Sequence, residues 1–150
     1  LARDDDTPAA ERPFTWDTDV ARALLPENQP GSTLAVIRGR ESQIVAHRTK
    51  ELGITHVRQG CADKFPVYQQ LLAELDLKPE QVGFVGDDVV DLPIMLRVGF
   101  AVCPQDGHFL VKRHAHWVTP SGGGRGAGRD VCELLMLAQN TYAAEMQRYY

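Results

Sequence analysis

Gly83-Phe84-Val85-Gly86-Asp87-Asp88-Val89-Val90-Asp91-Leu92-Pro93 sets three carboxylates directly behind a short apolar run. Phe84 and Val85 read as the end of a buried strand, and Gly86 lets the backbone turn. Asp87, Asp88 and Asp91 then lie past the strand's C-terminal end and over the first turn of the next element. In an open parallel α/β sheet that edge is where ligands bind. If Asp88 begins a helical turn, Asp88 and Asp91 share a face while Asp87 stays on the loop. Three like charges this close repel unless a cation or a basic group neutralises them, and an all-oxygen set suits Mg²⁺. The other reading of the same residues is a solvated acidic turn with an N-cap Asp.

Outward from this stretch the apolar runs alternate in period. Leu34 to Ile37, Ile54 to Val57, Val82 to Val85, Phe100 to Val102 and Trp117-Val118 read as strands. Ser42 to Leu52, Lys64 to Leu75, Leu92 to Val98, Phe109 to His116 and Arg129 to Gln139 read as helices, and Asp17 to Leu25 as a short earlier one. Strands and helices alternating at this spacing predict right-handed crossovers and an α/β fold with a doubly wound parallel sheet. We divide the chain into a poorly defined N-terminal segment at 1–13, an α/β domain at 14–140 and a C-terminal tail at 141–150. The chain starts at Leu1 without a Met, which is expected of a processed, trimmed or incompletely represented product.

The chain has 150 residues, enough for a single domain with a real core. Its formal charge of −4, with Lys and Arg scattered, argues against a nucleic-acid partner. No segment reads as a membrane span or a signal peptide. Cys61, Cys103 and Cys132 are odd in number and lack metal-ligand spacing, which suits reduced thiols of a cytoplasmic protein. Cys103 follows a strand near the ligand edge, but nothing beside it lowers its pKa, so a catalytic thiol is not expected. His114 and His116, two apart on an expected helix, do not share a face, and with His108 they read as surface histidines. Trp16 and Trp117 read as core or interface aromatics.

The motifs taken together resemble the capless haloacid-dehalogenase-type phosphatases that act on 3-deoxy-D-manno-octulosonate 8-phosphate. These are relatives of the phosphatase-like domain attached to some sialic-acid cytidylyltransferases. The residues that carry the likeness are Ile37-Arg38-Gly39-Arg40-Glu41-Ser42, Glu51-Leu52-Gly53-Ile54, Asp63-Lys64, Gly86 to Pro93, Arg97-Val98-Gly99, and Gly123 to Ala127 with Arg129 and Cys132-Glu133-Leu134. The resemblance implies a Rossmann-like core without a large cap domain. It also implies a Mg²⁺-dependent phosphomonoesterase acting through an aspartyl-phosphate in lipopolysaccharide precursor synthesis, on that substrate or a similar sugar-acid phosphate. It assigns Asp87 as a metal ligand, Asp88 and Asp91 as its outer support, and Lys64 as the cation that pairs with the phosphoryl group and the nucleophile. A homotetramer is implied too, in which the Gly122 to Gly128 loop, Arg125 and the aromatic tail (Tyr142, Met146, Tyr149, Tyr150) reach a neighbour's site. A frayed helix is the other reading of that tail. The same loop could cradle an anion at the N-terminus of the next helix, near Arg125 and Arg129, or simply be flexible.

Two motifs depart from the family's pattern. Arg38-Gly39-Arg40 holds an arginine where a phosphate-binding hydroxyl is usual; its guanidinium either takes the phosphate or turns to solvent. The first motif is represented only by Asp4-Asp5-Asp6, with Asp4 as nucleophile, Asp6 as acid/base and both as metal ligands, behind just three residues. Either these two aspartates work, or the chain is an inactive phosphatase-like domain kept for oligomerisation or regulation, or an active parent is represented here with an altered or missing N-terminal segment.

Overall fold

The computed structural model describes residues 33–150. Asp4, Asp6, Trp16 and the helix expected over Asp17 to Leu25 lie outside the described residues.

Five short strands alternate with six helices in the described chain: β1 (Ala35–Ile37), α1 (Gln43–Glu51), β2 (His56–Arg58), α2 (Lys64–Glu74), β3 (Gly83–Val85), α3 (Leu92–Met95), β4 (Phe100–Cys103), α4 (Phe109–His114), β5 (Trp117–Val118), α5 (Ala127–Ala138) and α6 (Tyr142–Met146). Every strand pairing is parallel, with β1 beside β2 in one pair and β3, β4 and β5 side by side in a second sheet. Parallel order makes each strand's C-terminal end open on the same edge, which gathers the loops after β1, β2, β3 and β4.

The main core lies under the second sheet, where Tyr68, Ile94, Met95, Val98, Ala101, Cys103 and Val111 are buried together. Ile37 of β1 and Phe84 of β3 pack against that same cluster, as do Phe65 and Leu72 of α2. The strand pair and the three-stranded sheet therefore share one apolar interior with α2. A smaller cluster of Leu52 and Ile54, flanked by Leu34, Val36 and Val57, seals α1 against the first pair.

Local chemistry accounts for the element ends. Ser42 caps α1 through its hydroxyl, which accepts from the Val45 amide, and Asp63 caps α2 by accepting from the Phe65 amide. Gly53, at φ +70°, turns the chain after α1 in the left-handed region that glycine occupies freely. Gly99 is forced by space rather than by φ, since a Cβ there would stand 2.1 Å from the Glu80 carbonyl oxygen.

The helix expected over Leu92 to Val98 is shorter than the apolar pattern implied. A 3₁₀ turn over Val89–Asp91 precedes it, and the α-helical part ends at Met95. Asp88 does not open a helical turn but caps this one, with its carboxylate accepting from the Val89 amide. Beyond Gln139 the chain forms α6, whose Tyr142 and Met146 pack back on Cys132 and Met136 of α5, while Tyr149 and Tyr150 stay exposed.

Candidate functional site

The acid cluster is organised around Asp91, which is 1% exposed. One of its oxygens accepts from the Lys64 ammonium at 2.7 Å. The other accepts from the backbone amides of Asp87 at 3.0 Å and Asp88 at 3.2 Å. A buried carboxylate is tolerated only when paired and hydrogen-bonded, and here both oxygens are spent inward. Gly86 makes the arrangement possible, because a Cβ at that position would meet the Asp91 Cβ at 2.5 Å and its Cγ at 2.9 Å.

Lys64 is the first residue of α2, and its side chain is 16% exposed, so it is no solvated surface lysine. It crosses from the loop after β2 to the loop after β3 and ties the two together. The resemblance places this cation against a phosphoryl group. In the structure its ion-pair partner is Asp91, and the two roles are compatible for an ammonium with three donors.

Asp87, half-buried just past the end of β3, is the other carboxylate beside this pair. Burial raises its pKa above the ordinary carboxylate range, the negative Asp91 beside it raises it further, and Lys64 offsets part of this. A carboxylate held in that state is one that a hard cation relieves, so the residue fits the metal-ligand role. Asp88 is exposed, and its capping bond to Val89 occupies one oxygen. Among the described residues no three His, Cys, Asp or Glu side chains converge to hold a metal ion. The resemblance puts the other ligands of a metal at Asp87 on Asp4 and Asp6, outside the described residues, with Asp88 as outer support.

Arg38-Gly39-Arg40 leaves β1 at the same edge. Its backbone is held by the loop after β2, with the Arg38 amide donating to the Arg58 carbonyl at 2.9 Å and the Cys61 amide donating to the Arg38 carbonyl at 2.9 Å. Gln59 secures the far end of the segment, accepting from the Ser42 amide at 2.8 Å and donating to its carbonyl at 3.3 Å. Arg38 is half-buried and Arg40 exposed.

The glycine-rich loop differs from the anion cradle that its composition suggested. The Ser121 amide donates to Asp130 at 2.9 Å, the Gly123 amide to Asp106 at 2.7 Å, and the Arg125 and Ala127 amides to the Gly122 carbonyl. Donors that serve the protein's own carboxylates and carbonyls are not available to a ligand. What the loop exposes is the Arg125 side chain. The helix after it starts at Ala127, two residues earlier than the apolar pattern indicated.

The histidines also have structural duties that the sequence did not disclose. His108 caps α4 by accepting from the Leu110 amide, and its own amide donates to the Asp87 carbonyl at 2.8 Å. His116 accepts from the Ala101 amide at 2.8 Å and stacks on Phe100. Cys103 is buried behind Asp87, and burial pushes its thiol up to about 11, which removes it from nucleophilic chemistry. No helix among the described residues is long and apolar enough to cross a membrane.

The chain is similar to known proteins in sequence and in fold. Residues 26–126 match the family of haloacid dehalogenase-like hydrolases. The 3-deoxy-D-manno-octulosonate 8-phosphate phosphatase KdsC of Yersinia pestis is 48% identical over 107 residues, covering 71% of this chain and 57% of that protein. The protein of the same name from Shigella flexneri is 46% identical over 106 residues, covering 71% of this chain and 56% of its own length. The chain thus spans little more than half the length of these relatives. Among solved structures, the 3-deoxy-D-manno-octulosonate 8-phosphate phosphatase of Moraxella catarrhalis in complex with magnesium ion, phosphate ion and KDO superposes with a TM-score of 0.82. It is 35% identical, and the match covers 89% of this chain and 76% of that one.

Proposed function

Because the chain belongs to the haloacid dehalogenase-like hydrolases, we propose that it is a Mg²⁺-dependent phosphomonoesterase that hydrolyses 3-deoxy-D-manno-octulosonate 8-phosphate or a closely similar sugar-acid phosphate. The observation that carries the reading is the Lys64–Asp91 pair bonded to the amides of Asp87 and Asp88, which presents one carboxylate and one cation at the strand ends. Support for the substrate comes from the relatives named above and from the Moraxella structure, whose ligands are magnesium, phosphate and KDO.

In this reading Asp87 holds Mg²⁺ together with Asp4 and Asp6, while Asp88 and Asp91 keep that edge in place. The metal, when bound, supplies charge neutralisation for the transferring phosphoryl group. Asp4 attacks phosphorus, and the ester P–O bond breaks as Asp6 gives its proton to the departing sugar oxygen. Asp6 then takes a proton from water, which attacks the aspartyl-phosphate, releases phosphate and restores Asp4. Lys64 lies against the phosphoryl oxygens and the nucleophile, and Arg38, Gly39, Arg40 and Arg125 contact the substrate's anionic groups. We further place the enzyme in the cytoplasm, where its three free thiols stay reduced, as a homotetramer serving lipopolysaccharide precursor synthesis.

The test is phosphate release from 3-deoxy-D-manno-octulosonate 8-phosphate with and without Mg²⁺, by this chain and by Asp4→Asn. Metal-dependent turnover that disappears in the variant supports the enzyme and its nucleophile. Turnover that persists in the variant overturns the Asp4 assignment. No turnover in either protein overturns the phosphatase reading for this chain and favours the inactive oligomerisation or regulatory domain or an active parent represented here with an altered or missing N-terminal segment.

A further inference from the structure

We infer that Asp106 is a positioning residue that fixes the glycine-rich loop and, through it, Arg125; this deepens the phosphatase reading and rests on it. The connection from β4 to α4, Pro104 to His108, runs between the two functional segments and touches both. At one end the His108 amide donates to the Asp87 carbonyl at 2.8 Å. At the other, the Gly123 amide donates to the Asp106 Oδ1 at 2.7 Å, and the neighbouring Gln105 amide donates to the Ser121 carbonyl at 3.2 Å. The connection is itself braced, because the Lys112 ammonium on α4 donates to the Gln105 carbonyl at 2.8 Å and the Gly107 amide closes on the Pro104 carbonyl at 2.9 Å. Gly107 has no room for a side chain, since a Cβ there would stand 2.4 Å from the Cys103 sulfur.

From Gly122 to Gly126 the loop carries no apolar side chain of its own. A Cβ on Gly124 would meet nothing within 4 Å, and Arg125 is exposed. A Cβ on Gly122 would lie 3.1 Å from the Asp106 Cγ, so the carboxylate is seated directly across the loop backbone. Asp130 holds Ser121 at the root of the loop, and Asp106 holds Gly123 nearer its tip. A charged acceptor on a backbone amide is the stronger kind of hydrogen bond, and here it holds Gly123, two residues before Arg125. Asp106 does not touch the reacting groups; it acts through the loop.

Kinetics of Asp106→Ala, Asp106→Asn, Arg125→Ala and Asp106→Ala/Arg125→Ala on 3-deoxy-D-manno-octulosonate 8-phosphate test the inference, alongside amide hydrogen exchange of Gly123. Asp106→Ala is expected to raise KM about tenfold with kcat within about twofold, the size of one good charge-assisted contact. Asp106→Asn keeps an oxygen for the Gly123 amide and recovers most of the loss. In the Arg125→Ala background the Asp106→Ala change adds nothing. An unchanged KM, an effect undiminished without Arg125, or a loss confined to kcat overturns the inference. If the wild-type chain releases no phosphate, the phosphatase reading fails on its own. The Gly123 amide then still decides the anchoring: exchange at least about tenfold faster in Asp106→Ala supports it, and unchanged exchange overturns it.

Discussion

Replacing Lys64 by Met isolates the energetics on which the acid cluster depends. The substitution keeps the length and apolar stem of the side chain but leaves Asp91, 1% exposed, without its counter-ion. Removing one member of a buried pair costs about 3–5 kcal/mol. Lys64 keeps 16% of its side-chain surface in contact with water, and Asp91 retains the amides of Asp87 and Asp88, so the expected cost here is about 2–4 kcal/mol. For a chain of this size that lowers Tm by about 5–15 °C, read by circular dichroism in EDTA. Lys64→Met/Asp91→Asn should recover at least half of the loss, because an asparagine oxygen still accepts the two amides and no charge is left stranded. A single variant melting within about 2 °C of wild type, or a double variant no more stable than the single one, would falsify this account of the pair. On the proposed phosphatase reading turnover falls as well.

Two further outcomes concern neighbouring residues. Asp87 holds a pKa raised by burial and by Asp91, so the native state takes up its proton before the unfolded state does, and stability is lost as pH rises from the ordinary carboxylate range through the raised value. In EDTA, Asp87→Asn should therefore melt above wild type near about pH 7, with the gap closing toward about pH 4; a gap that widens on acidification contradicts the assigned direction. Gly86→Ala sets a methyl 2.5 Å from the Asp91 Cβ and 2.9 Å from the Met95 sulfur, an overpacking expected to cost about 1–3 kcal/mol and to speed amide exchange at Asp87 and Asp88. Wild-type melting and exchange in that variant would show that the pocket has slack that the structure does not contain.

The legible part of the sequence was local and periodic. Leu34 to Ile37 and Val82 to Val85 are short apolar runs with turn residues beside them, and both became parallel strands within a residue or two of the expected ends. Ser42 to Leu52 and Lys64 to Leu75 were legible as helices from their apolar spacing, and the structure adds that Ser42 and Asp63 cap them. The three aspartates were visible as a cluster, but their division of labour was not. Asp91 turns inward because Lys64, 27 residues away in sequence, meets it there, and no local pattern encodes a contact of that range. The glycine-rich loop misled for the same reason. Its composition suggests free amides, yet Asp106 and Asp130 reach those amides from 17 and 9 residues away. His116 is exposed, as the sequence expected, but its use as acceptor for the Ala101 amide was not legible, because it depends on where the chain entering β5 docks.

Asp91 also sets how this edge of the sheet moves. Freeing the amides of Asp87 and Asp88 means displacing a buried carboxylate and pulling Lys64 away from the first turn of α2, so the segment cannot fray by itself. Its opening is tied to loosening of the interior, and its amide protons should exchange with the slow class that reports on global unfolding rather than with the loops. A ligand arriving at this edge meets a backbone whose ordering entropy was spent when the chain folded, and little of its binding free energy goes into organising it.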